Sequence, residues 1–262
     1  MGYPKGKPDL VEVPCRRALQ PIPGADGGRS LNPYVSGIRR GARQDGAIGI
    51  KANLLSLLQE EVKAHHLRTS TVWIGTSIEP YNSAEQSLQL VRQALALLCR
   101  HEIPVQLLTS SPLVTRDADL LAASGAVVNI LLPTLGTGLL AWSEPAGATA
   151  AERLSTVTLL AETGVCVRVG IAPLIPGATD LASSIGRVAA AARSAGASEI
   201  WTSYARMRTG VRIPGQALLA RPHGPSLPGS TPAAPAAAHH LAPKRRKLPQ
   251  ETVSPAEQLF LL

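Results

Sequence analysis

The sequence predicts an α/β fold in which parallel strands alternate with helices to form a partial (β/α) barrel. Segments with apolar residues three and four positions apart, typical of amphipathic helices, alternate with short, continuously apolar segments. Such short apolar segments are typical of strands that are buried on both faces of a parallel sheet. Hydrophobic residues make up 45% of the 262 residues, enough to fill the core of one large domain. Right-handed crossovers would curve this sheet toward a barrel.

Helices are predicted at five places. The first starts after a capping Asn53, and the second starts at Ser83, with Gln86 at the spacing of a capping box. The fourth ends at Gly164, a residue suited to a left-handed turn. Thr179 or Asp180 is expected to cap the fifth. The predicted ranges are 53–63, 83 to about 98, 117–123, 150–163 and about 180–196.

Five strands are predicted between these helices. Their ranges are 72–76, 105–109, 127–132, 165–172 and 200–204. Ligands of parallel α/β folds bind at the carboxyl ends of the strands. We therefore expect residues 76–81, 109–111, 133–134 and 172–176 to line any functional site.

The distribution of charge divides the chain into three parts. The formal net charge is +8, but the segment 31–208 carries fifteen basic and thirteen acidic residues and is nearly neutral. Residues 1–30, rich in Pro, Gly and charge, are predicted to be a flexible arm. Residues 209–262 are predicted to be a disordered, Pro/Ala-rich basic tail. Its basic run at 243–247, PKRRK, is typical of a nuclear-import or nucleic-acid-binding segment.

The cysteine content and the hydropathy indicate a cytoplasmic protein. Cys15, Cys99 and Cys166 lie far apart and lack the spacing of metal ligands or of a disulfide framework. We expect no signal peptide, because the N-terminus has no apolar run. No apolar stretch is long enough to span a bilayer, so no membrane association is expected.

Several blocks at the strand ends resemble the spore photoproduct lyase-like radical SAM family. The most specific is residues 75–81, GTSIEPY, followed by Glu85. The other blocks occur in the family's order at residues 31–34 (LNPY), 108–111 (LTSS), 114–121 (VTRDADLL), 143–145 (SEP), 152–154 (ERL) and 169–177 (VGIAPLIPG). The resemblance implies a radical SAM-type barrel over residues 31–208.

The chain departs from this family where the family binds its metal. Relatives hold a four-iron cluster with three cysteines in a CxxxCxxC loop just after the Asn-Pro-Tyr block, because the irons need soft thiolate ligands. Counted without gaps, Gly37, Gly41 and Gln44 occupy the three cysteine positions here. We therefore expect no [4Fe–4S] cluster and no radical chemistry through this loop.

The resemblance also assigns candidate cofactor-binding residues, which are Thr76, Glu79, Tyr81, Ser110 and Pro173. It implies that Glu79 and Tyr81 would face the methionine end of S-adenosylmethionine, and that the turn containing Pro173 would face its adenine. Ser110 replaces a lysine that relatives usually carry. Without a cluster to anchor the same ligand, we expect S-adenosylmethionine to bind weakly at best.

These observations favour a pseudoenzyme with a binding or interaction role and with no assigned catalytic or metal-binding residue. Glu144 and Arg153, which match family positions, are expected to pair for structural reasons. Two alternatives stay open. The first is a radical SAM-type enzyme whose cluster ligands come from a partner. The second is a nucleic-acid-binding module, since both ends of the chain are basic and the basic tail is a candidate contact to nucleic acid. The partner and the substrate are not determined by the sequence.

Overall fold

The computed structural model describes residues 10–12, 19–21, 29–36, 48–64, 70–144 and 147–204. The strands are β1 (Leu10–Glu12), β2 (Leu19–Pro21), β3 (Arg29–Leu31), β4 (Tyr34–Ser36), β5 (Ile48–Ile50), β6 (Val72–Ile74), β7 (Val105–Thr109), β8 (Val127–Leu131), β9 (Cys166–Leu174) and β10 (Glu199–Tyr204). The helices are α1 (Leu54–Ala64), α2 (Glu85–Leu88), α3 (Leu90–Arg100), α4 (Ala118–Ser124), α5 (Thr137–Ser143), α6 (Ala150–Glu162) and α7 (Ala182–Ser194). A 3-10 helix, Pro112–Asp117, precedes α4.

The main sheet has the strand order β10-β9-β8-β7-β6-β3-β2. Six of its strands, from β10 to β3, are parallel, and β2 pairs antiparallel with β3. Within the described ranges, β10 and β2 are the two edges of this sheet, so the barrel is open. The predicted α/β fold with a partial parallel barrel is confirmed. None of the helices in the described part of the chain is long and apolar enough to cross a membrane.

Short strands also occur in the N-terminal segment. β1 pairs with β5 in a separate three-stranded sheet, and β2 joins the main sheet through β3. The sequence did not predict these strands, because three residues are too few to show a period. The segment predicted to be an arm thus contributes residues to three strands. Residues 1–9, 13–18, 22–28, 37–47 and 205–262 lie outside the described residues, so the disordered tail stays a prediction.

The core fills the space between the sheet and its helices. Alternate residues of the central strands, such as Val128, Ile130, Val169 and Ile171, belong to this apolar cluster and are almost completely buried. Because side chains alternate across a strand, the residues between them point to the opposite, inner face of the sheet. The core thus fixes which residues of β8 and β9 face inward.

The helix predicted from Ser83 is two helices. Gln89, between α2 and α3, has a left-handed backbone with φ of 52°. The break is stabilised by Glu85, whose carboxylate accepts hydrogen bonds from the backbone N–H groups of Val91 (3.0 Å) and Arg92 (3.4 Å). These are donors of the first turn of α3, which have no partner inside the helix. Ser83 does not act as the predicted cap, since α2 begins without a side-chain cap.

Of two further predictions about helix ends, the one at Gly164 is confirmed and the one at the start of α7 is wrong. Gly164 follows α6 with φ of +81°, as expected for a left-handed turn. Neither Thr179 nor Asp180 caps α7, whose N-cap residue is Leu181 with no side-chain hydrogen bond. Instead, Thr179 Oγ1 accepts a hydrogen bond from the Ile175 N–H at 2.7 Å. In the same turn, Asp180 Oδ1 accepts a hydrogen bond from the Gly177 N–H at 2.7 Å. Both polar side chains therefore stabilise the loop that leaves β9.

A buried ionic network joins the segments around the carboxyl end of the sheet. Arg116 bridges two fully buried carboxylates, with Nη2 at 2.7 Å from Glu85 Oε1 and Nε at 2.9 Å from Asp117 Oδ1. Tyr34 donates its hydroxyl to Glu85 Oε2 (2.5 Å), and Tyr81 donates to Asp117 Oδ2 (2.9 Å). Burial raises the pKa of both tyrosines, so both remain protonated donors. The network fastens β4, the loop after β6, α3 and the 3-10 helix to one another.

Removing the buried carboxylate at the centre of this network is expected to be strongly destabilising. Glu85→Ala leaves Arg116 without one of its two counter-charges and removes the cap of α3. We expect the free energy of unfolding to fall by about 3–5 kcal/mol. Urea denaturation checks this, with the exposed neighbour Gln86→Ala as the control, expected to change stability by less than about 0.5 kcal/mol. A loss below about 1 kcal/mol for Glu85→Ala would contradict the assigned role.

At the exposed rim of the network, Arg92 donates to both carboxylate oxygens of Asp119, at 2.9 and 2.8 Å. These bonds lower the pKa of Asp119 from 3.8 to about 2. A lowered pKa in the folded state contributes stability above the unfolded pKa, and that stability is lost as the pH falls through about 4 toward 2.

Asp119 is exposed, so Asp119→Asn should lower the free energy of unfolding by less than about 1 kcal/mol at pH 7. Denaturation at pH 7, 4 and 2 checks that the difference shrinks as the pH falls and is smallest at pH 2. An equal loss at pH 2 and pH 7 would contradict the role of this pair.

Candidate functional site at the carboxyl end of the sheet

Polar side chains from β3 and from the loop after β6 meet at the carboxyl end of the sheet. Ser30 Oγ lies 2.6 Å from Thr76 Oγ1, and Asn32 Nδ2 donates to Ser30 Oγ at 2.8 Å. This contact follows from the parallel register of β3 and β6, in which Leu31 lies beside Ile74. The side chain of Asn32 is buried, and within the described residues its Oδ1 has no hydrogen-bond partner. Among the described residues, the cluster therefore has one acceptor without a hydrogen bond.

The carboxylate of Glu79 is surrounded by donors of the protein itself. Oε1 accepts from the Tyr81 N–H at 3.0 Å and from the Thr109 hydroxyl. Oε2 accepts from the backbone N–H and the hydroxyl of Ser110, at 2.8 and 3.0 Å. The four bonds fasten the loop after β6 to the carboxyl end of β7.

These four bonds determine what Glu79 has left for a ligand. An ionised carboxylate offers about four acceptor positions, and four donors already use them. A ligand ammonium that approached Glu79 would therefore have to displace one of these bonds. Such a displacement would leave a donor at the end of β7 without its partner, which is costly where the site is shielded from water.

The structure brings together only part of the predicted cofactor-binding set. Glu79 and Ser110 are in direct contact, and Tyr81 joins them through its backbone N–H. The Tyr81 side chain is buried and bonds to Asp117, so its hydroxyl belongs to the ionic network. Thr76 bonds to β3 instead of to Glu79. Pro173 lies in β9, two strands beyond β7, and follows a cis peptide bond.

One site residue was missed from the sequence. Ser30 was assigned to the N-terminal arm, whereas it lies in β3 and contacts Thr76. The available signal was the Ser-Leu-Asn sequence, in which two polar residues flank Leu31 and so share one face of a strand. This signal covers three residues and indicates a site only once the neighbouring strand is known.

The predicted pairing of Glu144 with Arg153 is confirmed. Arg153 Nη2 donates to Glu144, and the Arg153 side chain is completely buried. The same guanidinium donates to the backbone carbonyls of Leu131 (2.8 Å) and Ala148 (3.0 Å). These bonds anchor α6 to the carboxyl end of β8, which is a structural role.

Comparison of the sequence with known proteins identifies distant relatives. No protein-family model matches the chain. An uncharacterized protein of Mycobacterium tuberculosis, Rv2578c, is 26% identical over 269 residues, which cover 93% of this chain and 78% of the relative. An uncharacterized protein of Mycobacterium bovis, Mb2609c, matches to the same extent.

Comparison of the structure identifies the class of fold. A cysteine-to-serine variant of spore photoproduct lyase superposes with a TM-score of 0.57 at 10% identity, covering 74% of this chain and 61% of that one. A second variant of this enzyme, with bound AdoMet and dinucleoside spore photoproduct, gives 0.56 at 11% identity over the same shares. The chain thus spans about 61% of the enzyme's length. It has a radical SAM-like α/β fold, as the resemblance implied, and spore photoproduct lyase is one of the solved structures that share this fold.

Replacing Glu79 by glutamine tests the four-bond arrangement. Glu79→Gln substitutes a donating amide for one accepting oxygen, so the backbone N–H of either Tyr81 or Ser110 faces another donor. We expect the free energy of unfolding to fall by about 1–3 kcal/mol, measured by urea denaturation. The control is Glu60→Gln, at an exposed carboxylate of α1, expected to stay within about 0.5 kcal/mol. Equal stability of Glu79→Gln and the parent would show that the carboxylate is not held by these donors.

Proposed function

We propose that this chain is a radical SAM-fold pseudoenzyme, without an iron–sulfur cluster, that acts by binding a partner molecule. The observation that carries the proposal is the state of Glu79. The resemblance assigns this residue to the methionine end of S-adenosylmethionine, yet its carboxylate is engaged by four internal donors. Glu79 thus joins the loop after β6 to the carboxyl end of β7 through hydrogen bonds.

The donor set supports the absence of the cluster. Gly37, Gly41 and Gln44 offer no thiolate, although their loop lies outside the described residues. The two described cysteines are in the wrong place. Cys166 is the first residue of β9 and so lies at the amino edge of the sheet. Cys99 is near the end of α3, where the chain returns to the amino end of β7. The described residues, together with the amino acids at positions 37, 41 and 44, do not fit a four-iron cluster at the carboxyl edge.

The fit for S-adenosylmethionine is also poor. Bound AdoMet occurs in the spore photoproduct lyase variant. In this chain the methionine carboxylate would find Ser110 in place of a lysine, and Ser110 already donates to Glu79. Within the described residues, the buried Asn32 Oδ1 at the same edge has no hydrogen-bond partner. It supports a retained capacity to bind a small polar group there, which is why we propose binding without catalysis.

Calorimetry and metal analysis of the full-length protein test the proposal. We expect no stoichiometric iron after anaerobic reconstitution, and S-adenosylmethionine binding weaker than about 100 µM, because no cluster chelates its methionine end. The matched variant is Glu79→Ala. It should leave this weak binding unchanged while lowering the thermal midpoint, since Glu79 fastens the fold.

Two outcomes would overturn the proposal. One is several irons per chain in a reproducibly brown preparation, which would favour an enzyme with cluster ligands from elsewhere. The other is submicromolar S-adenosylmethionine binding that Glu79→Ala abolishes, which would show that Glu79 releases its internal donors to hold the ligand.

A further inference from the structure

The inner face of the sheet carries a second polar position away from Glu79. Asn129 lies in the middle of β8 and Gly170 in the middle of β9, and both are buried. Their chain neighbours, such as Val128 and Val169, belong to the core on the helical side. Asn129 and Gly170 therefore point to the inner face.

Trp201 of β10 fills the space over this position. In the parallel register Trp201 lies beside Gly170. A methyl group on Gly170 would be 2.5 Å from Trp201 Cζ2 and 2.8 Å from Cε2 and Cη2, so the indole lies against the glycine backbone. Only glycine permits this approach, because these distances are far below van der Waals contact.

The N–H group at the edge of the indole is also hydrogen-bonded. Trp201 Nε1–H donates to Asn129 Oδ1 at 3.0 Å. Asn129 is held in this orientation because its Nδ2 donates to the Leu107 carbonyl at 3.3 Å. The Asn129 amide thus presents an acceptor in a fixed orientation. The Gly170 backbone beside it forms the flat surface against which the indole lies, the floor of this position. Together they match a planar aromatic ring with an N–H at its edge.

We infer that Asn129 and Gly170 form an inner-face site for a planar, N–H-bearing aromatic heterocycle, and that Trp201 is its built-in occupant. Trp201 is half-buried and lies on an edge strand, which among the described strands pairs only with β9. Within the described residues, the strand that carries the ring is therefore paired along one edge only. A free ligand of the same chemistry competes with the indole for the site, so Trp201 is an autoinhibitory contact. This inference rests on residues distinct from Glu79 and does not depend on the proposed function.

The test uses indole as the probe and the full-length Trp201→Ala variant as the receptor. Removing the side chain opens a cavity whose floor and acceptor are unchanged, and well-formed apolar cavities bind ring compounds of matching size. By calorimetry we expect indole to bind the variant at least tenfold more tightly than the parent. Indene has nearly the same shape but lacks the N–H, and we expect it to bind about fivefold more weakly than indole.

A second substitution provides the matched control. In Trp201→Ala/Gly170→Ala the new methyl occupies the floor of the site, and indole affinity should fall at least tenfold relative to Trp201→Ala. A Trp201→Ala variant that circular dichroism shows to be folded, yet that does not bind indole, would overturn the site. Equal affinity for indole and indene would overturn the role of Asn129.

If circular dichroism shows Trp201→Ala to be unfolded, the single variant Gly170→Ala decides. Its methyl must expel the indole, so tryptophan emission should shift to longer wavelength and become more accessible to acrylamide than in the parent. Unchanged emission and quenching would show that Trp201 does not occupy this position, and would overturn the inference.

Discussion

The arrangement around Arg116 is the interaction on which the carboxyl end of this molecule depends. Its guanidinium lies between the buried carboxylates of Glu85 and Asp117. Buried charges are tolerated only when they are paired and hydrogen-bonded, and two tyrosine hydroxyls complete the pairing here. Because the partners come from β4, α2, the 3-10 helix and the loop after β6, one ionic cluster sets the relative positions of all four. The site at the strand ends rests on that framework.

On this framework, Glu79 and Glu85 illustrate how one block of sequence serves two purposes. Both carboxylates belong to the segment that resembles a ligand-binding block, and both are engaged by the protein's own donors. Glu85 caps α3 and neutralises Arg116, whereas Glu79 joins the loop after β6 to β7. Internal hydrogen bonds thus supply contacts that hold the strand-end loops of this fold.

The inner face follows the same pattern at Trp201. Its indole takes the place over Gly170 and satisfies Asn129. Buried polar groups need partners, and in this chain a side chain of the edge strand provides one. The side-chain oxygens of Glu79 and Asn129 accept hydrogen bonds from other parts of the protein. Within the described residues, Asn32 Oδ1 accepts none. A bound molecule would therefore compete with fewer internal hydrogen bonds at Asn32 than at Glu79 or Asn129.

The sequence by itself determined the order of strands β6 to β10 and of most of the helices, the parallel sheet and the segments that lie at its carboxyl edge. It could do so because apolar periodicity and strand–helix alternation are local properties. It also indicated the pairing of Glu144 with Arg153, through the resemblance. Only the tertiary structure decided which partner each polar side chain has. The break at Gln89 depends on the Glu85 carboxylate, the contact of Ser30 with Thr76 depends on neighbouring strands, and the occupation of Glu79 depends on the end of β7. These are contacts between distant residues, and their energies are set by register and burial, which no short stretch of sequence encodes.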